Sequence, residues 1–225
     1  MRNHHHRIRA CHALLLVFVM SLPTAWSADI ASNQADNDVF NLDDTYRRAA
    51  SGDIDAQFQL FKVYRQGVAD TERDVEKAKR WLQSAAQSGH SEAQYWLGHI
   101  YFFGSGVERD VDSGMHWYRK SASQGFIHAQ LALGAIYNGW RYRFYPSNPA
   151  EALVWYGKAA EQGHIQSILI VGCSDYFGIN HITDVAAGLT WFQKAEQQGD
   201  DTATAYLKMD NSEDLRLFCE RVARM

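Results

Sequence analysis

This sequence is short of positive charge, of cysteine, and of apolar runs long enough to cross a bilayer. Lysine and arginine total 22 against 26 acidic residues in a chain of 225. Three of those arginines, Arg2, Arg7 and Arg9, sit in the first 27 residues, which hold no acid. Without that stretch the balance is 19 to 26, a net charge of −7. Nucleic-acid binding needs basic surface to release counterions, so nothing here favours a nucleic-acid partner. The apolar run "ALLLVFVMSL" at 13–22 has ten residues, about half of what a spanning helix requires. The histidines at 90, 99, 116, 128, 164 and 181 include no pair three or four apart, so no local metal site is expected. No Gly-rich phosphate loop follows a strand, because no strand is expected. The prediction is therefore of no metal and no cofactor.

What is present falls into two materials. Residues 1–27 have a basic start, the ten-residue apolar core and then "PTAWSA", the three-part layout of a secretory signal. Ala25 and Ser27 suit cleavage after Ser27. Cys11 precedes the apolar core and cannot be a lipoprotein acylation site, and the "HHH" at 4–6 leaves with the leader. The expectation is an exported protein, periplasmic or secreted, with no membrane anchor after cleavage. Residues 28–43 are polar with few large apolar groups and read as a flexible segment. At 46% hydrophobic and 13% aromatic residues, the whole chain can bury a substantial core, and global disorder is excluded.

From about Asp44 onward the chain repeats. Trp81, Trp117, Trp155 and Trp191 are spaced 36, 38 and 36 residues apart. Gly52, Gly89, Gly125, Gly163 and Gly199 follow at 37, 36, 38 and 36. Two residue types keeping one period predict an array. Each unit reads as two helices. The first carries Ala93, Leu97, Gly98 and Tyr101, or Ala129, Leu133, Gly134 and Tyr137, on one face. The second starts at Asp74, Asp110, Asn148 or Asp184, each a good N-cap, with Pro149 at a first helical position where its missing N–H costs nothing. The period glycine suits the left-handed position that closes the second helix.

These residues carry a resemblance. "AQYWLGHIYFFGSGVERDVDSGMHWYRKSASQG" is similar to a Sel1-like repeat, a relative of the tetratricopeptide repeat. Four units run over 44–199, and 200–225 hold a partial fifth and a capping helix with a stripe of Leu215, Phe218, Val222 and Met225. The resemblance implies an all-α, right-handed α-α superhelical solenoid of about four to five two-helix repeats with a C-terminal capping helix. Unit one has "LF" for Leu-Gly, unit three an aromatic, basic linker "NGWRYRFYPS", and unit four Asp175 for the tyrosine, so the fourth unit is expected to pack differently.

No catalytic constellation emerges, and the chain lacks the cysteine pair in every repeat that marks exported relatives linked to penicillin binding or hydrolysis. The family resemblance implies a scaffold without catalysis, binding a protein or peptide partner on its concave side as an adaptor or regulator. A cell-envelope hydrolase or glycan binder, related to peptidoglycan or β-lactams, stays open as the alternative. By resemblance to the tetratricopeptide arrangement, the partner-facing candidates are Phe58, Tyr95, His99, Phe102, Phe103, Leu131, Tyr176 and Phe177. The aromatic pair Phe102–Phe103 recurs as Tyr176–Phe177. The loop residues Trp140, Tyr142, Phe144 and Tyr145, interleaved with Arg141 and Arg143, form a second candidate surface. Cys173 and Cys219 could bridge in an oxidising compartment, closing a loop of ~45 residues worth ~3–4 kcal/mol; two buried thiols are the other reading.

Overall fold

The computed structural model describes residues 41–68, 71–139, 142–179, 183–207 and 212–222, with no strand among them. The leader at 1–27 and most of the segment at 28–43 lie outside the described residues. From Leu42 onward the chain is one compact unit. Its helices are α1 (Leu42–Ala50), α2 (Ile54–Gln66), α3 (Val75–Gln87), α4 (Ser91–Phe103), α5 (Val111–Ser123), α6 (Ile127–Asn138), α7 (Pro149–Glu161), α8 (Ile165–Phe177), α9 (Val185–Gln197), α10 (Asp201–Leu207) and α11 (Ser212–Val222). Every consecutive pair from α1 to α10 is in contact, and α11 turns back onto α8. This is an all-α solenoid of two-helix repeats, each stabilised by its neighbours. Helix α1 starts at Leu42, inside the segment expected to be flexible. Leu42 packs on the first repeat's core, and Asp43 and Asp44 lie in the first turn, where the helix dipole favours carboxylates.

The helix starts follow from single side chains. Asp74, Asp110, Asn148 and Asp184 each accept a hydrogen bond from the backbone N–H three residues on. Their own backbone N–H groups donate across the turn to the carbonyls of Tyr64, Tyr101, Tyr137 and Asp175, at 2.7–2.9 Å. That last bond keeps the turn of unit four in the pattern of the others. The tyrosine position closes the turn through its carbonyl, so Asp175 leaves the turn intact. The period glycines Gly89, Gly125, Gly163 and Gly199 have φ of +103, +88, +90 and +82, a backbone conformation strained for any other residue.

In units two, three and four the two helices of the repeat approach until a hydrogen replaces a side chain. A Cβ on Gly98 of α4 would lie 3.0 Å from the Tyr118 ring of α5, and one on Gly134 would lie 2.7 Å from the Tyr156 ring. Gly172 meets Phe192 in the same way at 3.0 Å. Unit one inverts the sizes, with Phe61 at the glycine position and Leu82 at the ring position, both buried. The pair is bulkier than glycine with tyrosine, so unit one fills the same place with two side chains in place of one ring. A second close approach runs the other way. A Cβ on Gly114 of α5 would lie 2.7 Å from the backbone nitrogen of Phe102, and one on Gly188 of α9 would lie 2.7 Å from that of Tyr176.

Between repeats a polar ladder accompanies the apolar contact. Gln57, Gln94 and Gln130 are buried at one period, and their side-chain amides donate to the carbonyls of Ala49, Ala86 and Ala122 at 3.0–3.3 Å. Those carbonyls belong to the last turn of the preceding second helix and already accept from the backbone N–H groups of Gly52, Gly89 and Gly125 at 3.0–3.2 Å, so each amide fills a second lone pair. The second helix of the same unit adds a rung: Gln124 donates to Gln94 Oε1 at 2.7 Å and Gln162 to Gln130 Oε1 at 2.8 Å. Unit four has Ser167 in place of the glutamine. There Lys194 Nζ reaches the equivalent Ala160 carbonyl at 2.9 Å. Unit one has Ser88 where the later units have Gln124 and Gln162, and Gln57 Oε1 is buried with no hydrogen-bond partner among the described residues.

Two outcomes follow for chemical denaturation. Ser88→Gln should raise stability by about 1 kcal/mol, because it supplies the missing donor at an already formed acceptor; no gain would mean that Gln57 is satisfied otherwise. Gly114→Ala should cost about 1–3 kcal/mol by overpacking against the α4 backbone. Gly157→Ala, into open space on α7, should instead be neutral or gain up to about 1 kcal/mol from helix propensity.

Candidate partner-binding surface

Helix α4 divides its residues by period. Ala93, Leu97, Gly98 and Phe102 face the neighbouring helices and are buried. Glu92, Trp96, His99 and Phe103, at steps of four, three and four, share the opposite face. Phe102 and Phe103 therefore have different roles. Phe102 is 0% exposed, pressed on the Gly114 backbone and on Tyr118. Phe103 is 41% exposed.

Exposed and half-buried rings form one continuous strip. Centroids of Trp96 and His99 are 6.1 Å apart, His99 and Phe103 4.6 Å, Phe103 and Tyr142 5.8 Å, and Tyr142 and Phe144 6.1 Å. Tyr142 and Phe144 come from the linker of unit three, which folds back onto unit two. It is pinned on its other side by Arg119, whose Nη2 donates to Tyr137 and Tyr145 hydroxyls at 2.7 and 3.4 Å. A cation caps each end of the strip. Arg65 lies 4.6 Å over Trp96, and Arg109 lies 3.7 Å over the half-exposed Phe144, within the range of cation–π attraction. Trp96 Nε1 also donates to Glu92 at 3.4 Å. Trp140 and Arg141 lie outside the described residues; Arg143 is exposed.

The other candidates divide the same way. Phe58 is 3% exposed, stacked on His90 at 4.3 Å with Lys62 Nζ 4.7 Å from its ring. Phe58 and Phe102 are thus core residues and not partner contacts, because each fills the space between successive helices. The recurrence of Phe102 as Tyr176 has a packing cause: both sit against the glycine of the second helix, Gly114 and Gly188. Tyr95 is half-buried beneath Phe126 and Tyr118, Leu131 is half-buried on the main core, and so are Tyr176 and Phe177. Cys173 and Cys219 form a disulfide with Cα atoms 5.2 Å apart, joining α8 to α11. Sequence reading missed Trp96 as a member of the strip and the fold-back of the linker. The first was visible in the 92, 96, 99, 103 spacing, whereas the second has no local signal. Among the described residues no group of three His, Cys, Asp or Glu side chains is placed to hold a metal ion.

Three histidines are held neutral. Burial lowers the pKa of His90, His99 and His164; the charge of Arg65 adds to the effect at His99, and that of His128 at His164. Nearby Glu92 and Asp55 partly oppose it at His90. His90 and His164 also use a ring nitrogen to cap their helices, Nδ1 accepting from the N–H of Ala93 at 3.1 Å and of Ser167 at 3.2 Å. Protonation would remove that acceptor.

The Sel1 repeat sequence pattern matches residues 54–90, 91–126, 127–164 and 171–200. Among solved structures, a protective antigen present in uropathogenic Escherichia coli strains, displaying an SLR fold, is similar at 32% identity and a TM-score of 0.60. That likeness covers 74% of this chain and 35% of the antigen, so this chain spans about a third of that relative. A Sel1 repeat protein from Oxalobacter formigenes is 36% identical with a TM-score of 0.52, over 58% of this chain and 96% of its own. An immunity protein from Pseudomonas aeruginosa is 19% identical with a TM-score of 0.45, over 88% and 80%. No curated protein matches the chain.

The folded histidines lie below their unfolded pKa of about 6.5. Their stabilisation is therefore complete above that value and is lost as the pH falls through and below it, where the unfolded chain binds more protons. The melting temperature should fall between about pH 7.5 and 5.5. His164→Asn, which caps without titrating, should reduce that fall; an unchanged slope would remove His164 from the cause.

Proposed function

The chain belongs to the Sel1 repeat family, and on that premise we propose that it is an exported scaffold binding a protein or peptide partner along its first-helix face, in an adaptor or regulatory role. Sel1 repeat proteins are generally protein-interaction scaffolds. The observation that carries the reading is the strip from Trp96 through His99, Phe103 and Tyr142 to Phe144. Phe103 and Phe144 are exposed and Trp96, His99 and Tyr142 half-buried, although Phe102 beside them is fully buried. Exposed aromatics and arginine supply most of the energy at protein interfaces. By resemblance to tetratricopeptide arrays, this face is the concave one.

Export rests on the leader's layout at 1–27, and the Cys173–Cys219 bridge is in keeping with an oxidising compartment. No described helix is long and apolar enough to cross a membrane.

A photo-crosslinking residue at position 103, used in the cell envelope and followed by mass spectrometry, should capture a defined protein that the same group at exposed Arg80 does not. With that partner in hand, Phe103→Ala should weaken binding about tenfold or more. Stability should change by no more than about 1 kcal/mol, because the ring is already half in water. Equal capture at both positions would return the strip to ordinary surface.

A further inference from the structure

The terminal helix shows what the first-helix face can hold. Helix α11 lies on α8, bonded through Cys219 to Cys173, with Leu215 and Cys219 buried at 6% and 0% exposure. Its Glu213, Arg216, Leu217 and Glu220 border Phe177. The covered row of α8 includes Cys173 and Phe177, and Leu169 at the same helical step lies in one buried cluster with Leu215. Two repeats earlier the same row is Tyr95, His99 and Phe103, offset by 74 residues at every position.

The two rows differ in one chemical respect. Unit four has a thiol at the middle position, and its helix is tied in by a covalent bond. Unit two has His99 there, and no described helix covers the row; it ends in the 41% exposed ring of Phe103. The neighbouring rows suit a helix less. Unit one offers the buried Phe58 followed by Lys62 and Gln66, and unit three offers Leu131 followed by Ala135 and Gly139. The lengths agree as well. Nine residues from Tyr95 to Phe103 span about 13 Å, and an eleven-residue helix such as α11 about 16 Å.

Resting on the interaction-scaffold reading above, we propose that the unit-two row is a docking site for one amphipathic α-helix of a partner protein. The helix presents two apolar residues four apart, as Leu215 and Cys219 do in α11, and carboxylates toward the cations at the ends of the strip, Arg65 and Arg109. The occupant is exchangeable because His99 offers no disulfide. Unit four holds its helix permanently and unit two holds a visitor.

The test uses α11 itself as the probe. A synthetic peptide of residues 212–225 carries its cysteine as a mixed disulfide with thionitrobenzoate. A protein thiol attacks that bond, forms the protein–peptide disulfide and releases the coloured thiolate. The full mature protein carrying His99→Cys, or the exposed Phe103→Cys as a second variant, should react at least about tenfold faster than Arg80→Cys on a second-helix face, after correction for each thiol's reactivity toward the free reagent, because docking raises the local concentration. A Leu217→Pro peptide, which cannot form the helix, and Phe103→Glu added to the His99→Cys protein should each remove the acceleration. Equal rates at positions 99, 103 and 80, or an undiminished rate with the proline peptide, would overturn helix docking. Capture of a partner by the crosslinker at position 103 would then still stand, which separates failure of this inference from failure of the scaffold reading.

Discussion

Backbone-distance contact between the two helices of units two, three and four is the constraint on which the rest of this structure depends. Gly98, Gly134 and Gly172 admit a ring from the second helix, and Gly114 and Gly188 admit the backbone of the first. Because interiors are close-packed, a ring admitted on one side requires a small residue on the other. Unit one departs from the pattern, with Phe61 and Leu82 at these positions, both buried. The contact also sets the orientation of α4. With Phe102 held against Gly114, the adjacent Phe103 is rotated about 100° away and out of the core. An exposed ring at 103 is a consequence of a glycine eleven residues later.

The polar contacts between repeats solve a separate problem. The last-turn carbonyl of each second helix accepts from its period glycine N–H and still has a second lone pair to fill. The glutamine at 57, 94 and 130 meets it three times, and the lysine at 194 meets it from the other side in unit four. The same carbonyl is satisfied in every unit although the residue that does so changes. The histidine caps at 90 and 164 are a comparable substitution, a ring nitrogen standing where other helices use Asp or Asn.

The fold was legible because its signals are periodic. Tryptophans and glycines at one spacing, with capping residues seven before each tryptophan, define the helices without any knowledge of contacts. The candidate surface was legible only in part. The aromatic pair recurring in units two and four was real, but half of the recurrence, Phe102 and Tyr176, answers Gly114 and Gly188. That pairing was present in the sequence as a correlation between the two helices of each unit. Tyr142 and Phe144 are a different case. A ten-residue linker has no periodicity, and nothing local says that it folds back on the preceding unit.

The sequence by itself determined the repeat, the helix boundaries and the identity of the caps, because each depends on interactions within a few residues along the chain. Only the tertiary structure decided which rings are core and which reach solvent, and that α11 lies along α8. Those outcomes depend on how closely two helices approach and on contacts between residues 30 or more positions apart, as in the 46-residue span from Cys173 to Cys219. Burial belongs to the pair of surfaces, and a single strand of sequence shows one surface at a time.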